Sequence, residues 1–182
     1  MRKEIDLNIT KTSYKNEIIR RSPWIILSLA AGIVMVLVGR NFEELLSDKL
    51  ELVFFIPMIV YMSDSIGTET MTLFVRELAL RRVSIKKLFF REAFVGLYLG
   101  FISGVPMGFF SFFWLKDFEL SVTITIAMLL NGLVAVLTGM LTPVIFSKIK
   151  KDPALGTDEI TTALSDNLSI FIYLIVAMLV LF

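Results

Sequence analysis

LVFFIPMIVYMSDSIGTETMTLFV, residues 52–75, is the stretch that decides the fold. It is apolar over a length that matches the roughly 20 residues a helix needs to cross a bilayer. Near its middle it carries two carboxylates, Asp64 and Glu69, among several hydroxyl groups. An acid at mid-span costs roughly 2.5–3.5 kcal/mol to insert, so such residues usually face water or a partner. The stretch therefore predicts a transmembrane helix that carries function.

Four further apolar stretches come near the same length. The chain has 182 residues, of which 56% are hydrophobic, more than an ordinary soluble domain contains. We therefore predict an all-α integral membrane protein with five transmembrane helices. Residues 23–182 form this domain, and residues 1–22 form a cytoplasmic tail, for which an amphipathic helix on the membrane surface is one option. The other four spans are roughly Trp24–Val38, Phe94–Leu115, Val122–Phe146 and Ile160–Phe182.

Basic residues predict the orientation of these spans, because lysine and arginine are enriched in cytoplasmic loops. They gather in the N-terminal tail and in the connection between the second and third spans, around Arg81 and Arg82. The first connection, around Glu43 and Glu44, is acidic. We expect a cytoplasmic N-terminus and, after five spans, an external C-terminus.

Composition excludes several classes of protein. The chain has no cysteine and no histidine, which excludes disulfides, zinc fingers and thiol or imidazole catalysis. A net charge of +1 gives no indication of nucleic-acid binding. We predict no cofactor, and any metal must be bound through oxygen.

The second and fifth spans carry the candidate site. At helical spacing Ser65 and Glu69 share one face of the second span, with Asp64 at its edge. The alternative is that Glu69 pairs with a basic residue while the hydroxyls bond back to their own helix. In the fifth span Thr162 and Asp166 begin a stripe of oxygen-bearing side chains. For Asp166 the alternative is a helix cap or an ion pair near the membrane surface.

The third span has glycine at every fourth position, namely Gly96, Gly100, Gly104 and Gly108. This spacing leaves one helix face without side chains and predicts a close helix crossing.

Oxygen ligands with one or two carboxylates suit a hard cation such as Mg²⁺, which keeps several waters while bound. We predict a divalent-cation channel or transporter, with Mg²⁺ the favoured ion. Its metal-binding residues are Asp166, Asp64, Ser65, Glu69 and Thr162. The protein is predicted not to be an enzyme. One alternative is an intramembrane aspartyl protease using Asp64 and Asp166, although the neighbouring residues do not match the signatures of such proteases; another is a non-conducting membrane scaffold.

The order of motifs along nearly the whole chain resembles the membrane domain of MgtE-type magnesium transporters. The matching segments are Arg21-Ser22-Pro23-Trp24, Phe42-Glu43, Phe55-Ile56-Pro57, Val75-Arg76-Glu77-Leu78-Ala79 and Asp152-Pro153-Ala154. Thr162 and Asp166 follow at the spacing of a threonine and an aspartate in that family.

The resemblance implies a homodimer of five-helix subunits in the inner or plasma membrane. It places Asp166 at the family's ion-binding aspartate. The chain departs from the family where Ser65 stands in place of an asparagine and where Asp64 and Glu69 add negative charge. Asp158 and Glu159 also replace a Gly-Pro pair, and the family's cytoplasmic N and CBS domains are not expected in this chain.

Overall fold

The computed structural model describes residues 13–80, 85–148 and 157–182. These residues form helices and short connections with no strand, as predicted. Five of the helices are long and apolar enough to cross a membrane, so the fold class and the number of spans are confirmed. The membrane side of each terminus remains a prediction. The helices are α1 (Tyr14–Arg40), α2 (Glu43–Asp48), α3 (Glu51–Leu80), α4 (Ile85–Leu115), α5 (Phe118–Lys148) and α6 (Thr157–Leu181).

Helix α1 continues across the predicted end of the tail at residue 22. It begins at Tyr14 and passes through Pro23 without a break. In its first turns Arg21 forms an ion pair with Glu17, one helical turn earlier, at 3.1 Å. Residues 14–22 of the predicted surface helix are therefore continuous with the first span. Residues 1–12 of the tail lie outside the described residues. The division into tail and domain remains a prediction.

Helix α5 is the centre of the bundle. It packs against α3, α4 and α6, and it is the most buried of the five spans. One continuous apolar cluster joins it to α3 and α6, and its buried members include Ile124 of α5, Phe55 of α3 and Tyr173 of α6. Helix α1 packs mainly on α6, at the edge of the bundle. This arrangement brings α3 and α6, the two acid-bearing spans, side by side.

The glycine face of α4 lies directly on α5, as its spacing predicted. A Cβ atom added to Gly100 would lie only 2.7 Å from the carbonyl oxygen of Leu129. On the facing helix, a Cβ at Gly132 would lie 2.6 Å from the Cα of Gly100. The backbones of α4 and α5 are therefore in contact.

The connection between α4 and α5 is tied to the start of α3. Asp117 accepts a hydrogen bond from the backbone N–H of Leu120 at 3.0 Å, which caps α5, and it pairs with Lys49 at 3.2 Å. The Leu120 N–H, together with Lys49, lowers the pKa of Asp117 below its ordinary value. Before this cap Lys116 has a φ of 57°, a left-handed conformation that ends α4.

Candidate metal centre

Helices α3 and α6 are joined through two buried serines. The hydroxyl groups of Ser63 and Ser165 lie 3.0 Å apart, and both side chains are almost completely buried. One turn along α3, a Cβ at Gly67 would lie 3.3 Å from the Ser165 hydroxyl. These small side chains allow α3 and α6 to approach closely, and the contact between the two serines sets the register of one helix along the other.

This contact brings two of the predicted residues together. The Thr162 hydroxyl donates a hydrogen bond to Oδ1 of Asp64 at 2.8 Å. The Thr68 hydroxyl lies 3.5 Å from the same oxygen. Hydroxyl groups from both helices therefore contact the same carboxylate oxygen of Asp64. Its other oxygen, Oδ2, has no hydrogen-bond partner among residues 13–80, 85–148 and 157–182. A metal-binding role for the pair remains a prediction.

Asp166 lies one turn further along α6. Its Oδ1 atom is buried and has no hydrogen-bond partner in the described part of the chain. Asp166 follows Thr162 by one helical turn, and the Thr162 hydroxyl is bonded to Asp64. No basic side chain among the described residues pairs with it, and it lies more than two turns inside the start of α6. Neither the cap nor the ion pair considered for Asp166 is therefore seen within those ranges.

Ser65 and Glu69 lie apart from this group. Both are exposed on the outer side of α3, together with Thr72 and Arg76. Glu69 has no ion pair within the described ranges, although the Thr72 hydroxyl does bond back to the carbonyl of Thr68 at 2.9 Å. The alternative for this span had two parts: an ion pair for Glu69, and hydroxyl groups bonded to their own helix. The second part is seen at Thr72. The structure brings Asp64, Thr162 and Asp166 together and leaves Ser65 and Glu69 on a separate face.

No group of three or more acidic side chains that could hold a bare metal ion occurs within the described residues. The available ligands are single carboxylates and hydroxyls. These suit an ion that keeps much of its water shell, because water molecules can donate to each of these oxygens.

The sequence reasoning missed the amide groups that fix α6. Asn131 of α5, almost fully buried, donates to the carbonyl of Ser169 at 3.2 Å. The Ser169 hydroxyl in turn donates to the carbonyl of Asp166 at 2.9 Å. Asn167 donates to the carbonyl of Ala31 in α1 at 3.2 Å. A lone asparagine within an apolar span was the available signal, since polar side chains commonly bond across helices in membranes.

Comparison with known proteins shows the family of the chain. The profile of the MgtE family, described as divalent cation transporters, matches residues 56–176, which include all three clustered site residues. The chain belongs to the MgtE family. It is therefore a multi-pass membrane protein, and its family consists of transporters and not of enzymes, in agreement with the predictions.

Three relatives named magnesium transporter MgtE are similar over most of the chain. The protein from Bacillus subtilis is 30% identical over 157 residues, or 85% of this chain. Those from Enterococcus faecalis and Thermus thermophilus are 31% and 28% identical over 87% and 88% of it. The aligned part covers 35–36% of each relative, so this chain spans about a third of their length.

Proposed function

We propose that this chain forms the membrane pathway of a divalent-cation transporter in the inner or plasma membrane, with Mg²⁺ as the transported ion. The family description and the names of the three relatives support the substrate class. Within the structure, one observation carries the proposal: the unpartnered Asp166 oxygen beside the hydrogen-bonded pair of Asp64 and Thr162. A buried carboxylate oxygen without a donor favours a cation or its bound water.

In this mechanism the ion, with most of its waters attached, passes along the side of the α3–α6 pair on which Asp64, Thr162 and Asp166 lie. Thr162 holds Asp64 by Oδ1, which leaves Oδ2 to accept a hydrogen bond from a water of the ion. Asp166 acts in the same way one turn deeper along α6. Because both acids are held on close-packed helices, their charges are in place before the ion arrives. A protease would instead need Asp64 and Asp166 to share a proton. Oδ1 of Asp64 already accepts a hydrogen bond from Thr162 of α6, which disfavours such sharing.

The proposal includes a homodimer. Ser65, Glu69 and Thr72 form a polar face on the outside of α3. A carboxylate at bilayer depth is costly against lipid, so this face requires water or another protein surface. A second copy of the chain, with the two polar faces lining a shared hydrated path, supplies both. In that arrangement Ser65 and Glu69 join the pathway as the predicted metal-binding residues.

Ion flux into proteoliposomes tests the transport proposal. We expect Mg²⁺ uptake by the wild-type chain and at least a tenfold loss with Asp166→Asn, since the loss of about 1.4 kcal/mol of ion stabilisation corresponds to a factor of ten. Asp48→Asn is the matched control, because Asp48 is an exposed acid in α2 and undergoes the same chemical change. Equal flux from both variants would remove Asp166 from the pathway, and the absence of any wild-type flux would refute transport.

Cross-linking tests the dimer separately. Because the chain has no cysteine, Ser65→Cys introduces a single thiol. Oxidation in membranes is expected to give a disulfide-linked dimer. Phe101→Cys on the exposed side of α4, which faces lipid in this proposal, is expected to stay monomeric. If the two variants cross-link equally, the polar face of α3 is not the interface.

A further inference from the structure

The outside of the α4–α5 pair carries a groove that is separate from the candidate metal centre. All of its lining residues belong to α4 and α5, and its volume is about 360 Å³. Ligand pockets in proteins have volumes of roughly 300–1,000 Å³, so the groove is large enough for a ligand. The small, buried residues Gly108 and Ser121 line its inner part. The exposed rings of Phe109, Phe112 and Phe118 line its outer part.

The length of the groove matches the depth of one leaflet of the bilayer. The groove extends along α4 from Val105 to Phe112, and the connection to α5 begins at Lys116. At about 1.5 Å per residue, Val105 and Lys116 are about 16 Å apart, roughly half of a hydrocarbon core of about 30 Å. The exposed Trp114 lies beside this connection, and indole rings prefer the membrane interface. The groove therefore runs from the interface to near the middle of the bilayer.

An acyl chain fits this depth and this lining. A bound water needs about two to four polar partners. The two hydroxyl groups that line the groove already donate to backbone carbonyls, Thr125 to Ser121 at 2.9 Å and Ser121 to Asp117 at 2.7 Å. An empty groove would deprive the lining side chains of dispersion contacts. A lipid tail supplies these contacts without needing a hydrogen bond.

Two opposite charges lie where the groove reaches the interface. The backbone N–H of Lys116 donates to the Phe112 carbonyl at 2.9 Å, so Lys116 lies one turn beyond a lining residue. Glu119 lies one turn before Val122, which also lines the groove. Both charged side chains are exposed. Neither forms an ion pair among residues 13–80, 85–148 and 157–182.

Lys116 has hydrogen-bond donors available for an anion. Its Nζ atom lies 5.4 Å from the centre of the Phe113 ring, a contact that uses no acceptor atom. The adjacent carboxylate of Asp117 pairs with Lys49 at 3.2 Å instead. An ammonium group has three donors, whereas a carboxylate such as Glu119 only accepts. The end of the groove therefore suits a headgroup that carries both an anion and a cation with N–H donors.

We propose that the groove and these two charges form a binding site for phosphatidylethanolamine. One acyl chain lies in the groove, the phosphate accepts from Lys116, and the ammonium group of the lipid donates to Glu119. Phosphatidylglycerol has no cation for Glu119, and the quaternary ammonium of phosphatidylcholine has no N–H to donate. The bound lipid links the end of α4 to the start of α5 and holds their connection at the membrane surface.

Native mass spectrometry of the full chain tests this site by counting retained lipids. The chain in detergent is titrated with dioleoyl phosphatidylethanolamine, phosphatidylglycerol or phosphatidylcholine in separate samples. The wild type is expected to retain one phosphatidylethanolamine per chain. The other two lipids should bind about fivefold more weakly, which is the effect of one charge near a membrane surface.

A substitution that fills the groove should remove this lipid. Val122→Trp places an indole ring in the space and is expected to retain one phosphatidylethanolamine fewer per chain. Val36→Trp is the matched control, because Val36 is 72% exposed on α1 and does not line the groove.

A second substitution tests the headgroup without changing the groove. Lys116→Gln should weaken binding of phosphatidylethanolamine about fivefold. Lys148→Gln, at the other end of α5, removes an exposed lysine in the same way and should have no effect. Because the Lys116 side chain is exposed, this comparison remains decisive if Val122→Trp does not fold.

The inference is overturned if the wild type binds the three lipids equally, or if Lys116→Gln binds phosphatidylethanolamine as the wild type does. If Val122→Trp lowers the fraction of dimer and leaves the lipid count unchanged, a second copy of the chain occupies the groove and the lipid site is refuted. None of these results affects the Mg²⁺ flux experiment, which depends on Asp166.

Discussion

The contact between α4 and α5 gives the most quantitative prediction for the stability of the bundle. Gly100→Ala adds one methyl group where the two backbones meet. Its Cβ would lie 2.7 Å from the Leu129 carbonyl oxygen and 2.8 Å from the Leu129 Cα. Both atoms belong to the backbone, so no side-chain rotation can relieve the overlap.

The size of the effect follows from these distances. Ordinary contact begins near 3.4 Å, so the helices must separate locally by about 0.7 Å. Overpacking of this kind costs roughly 1–3 kcal/mol, and alanine returns up to about 1 kcal/mol through its higher helix propensity. Because no side-chain rotation can relieve an overlap with backbone atoms, we expect the upper part of this range, a net loss of about 2 kcal/mol. For a chain of this size that corresponds to a decrease in Tm of about 4–8 °C.

Thermal unfolding in detergent, followed by circular dichroism, measures this loss. Gly39→Ala in α1 is the control, because its Cβ would meet no atom within 4 Å. It is expected to leave Tm unchanged or slightly raised. If the Gly100→Ala and Gly39→Ala variants unfold at the same temperature, the steric reasoning is wrong.

Two further predictions concern the connection between α4 and α5. Asp117→Ala removes the cap of α5 and should cost about 1 kcal/mol at pH 7. The folded pKa of Asp117 lies below its unfolded value near 3.8, so this advantage of the wild type is full above about pH 5 and is lost as the pH falls through the folded pKa. Unfolding of both proteins at pH 7 and near pH 3 checks this, and a gap that widens in acid would contradict it. Lys116→Gly relieves a left-handed conformation that costs roughly 1–2 kcal/mol, while the flexibility of glycine takes back roughly 0.5–1 kcal/mol. The lost contact of Lys116 with the Phe113 ring removes roughly a further 0.5 kcal/mol, so the unfolding free energy should equal that of the wild type or exceed it by up to about 0.5 kcal/mol. A less stable variant in chemical unfolding would show that the ring contact outweighs the strain.

The sequence predicted the parts of the structure that depend on strong local patterns. The five spans followed from apolar length, and the close crossing of α4 and α5 followed from the spacing of Gly96 to Gly108. Both patterns repeat over several turns. Such repetition leaves few alternative structures consistent with them.

The grouping within the candidate site could not be predicted in the same way. Helical spacing placed Asp64 at the edge of the face shared by Ser65 and Glu69. It did not show that Asp64 bonds to Thr162 inside the bundle, whereas Ser65 and Glu69 are exposed on its outside. That division depends on the rotation of α3 against α6, which the small residues Ser63, Gly67 and Ser165 determine. These residues carry little signal in a single sequence.

The position of α1 has a consequence for how the protein is made. Asn167 and Ala31, which link α6 to α1, lie 136 residues apart in the chain. During synthesis the first span therefore enters the bilayer long before its main neighbour exists, and it must remain stable in lipid by hydrophobicity alone. The bundle can be completed only after α6 has been made. A chain that stops before α6 is therefore expected to leave α1 without its main packing partner.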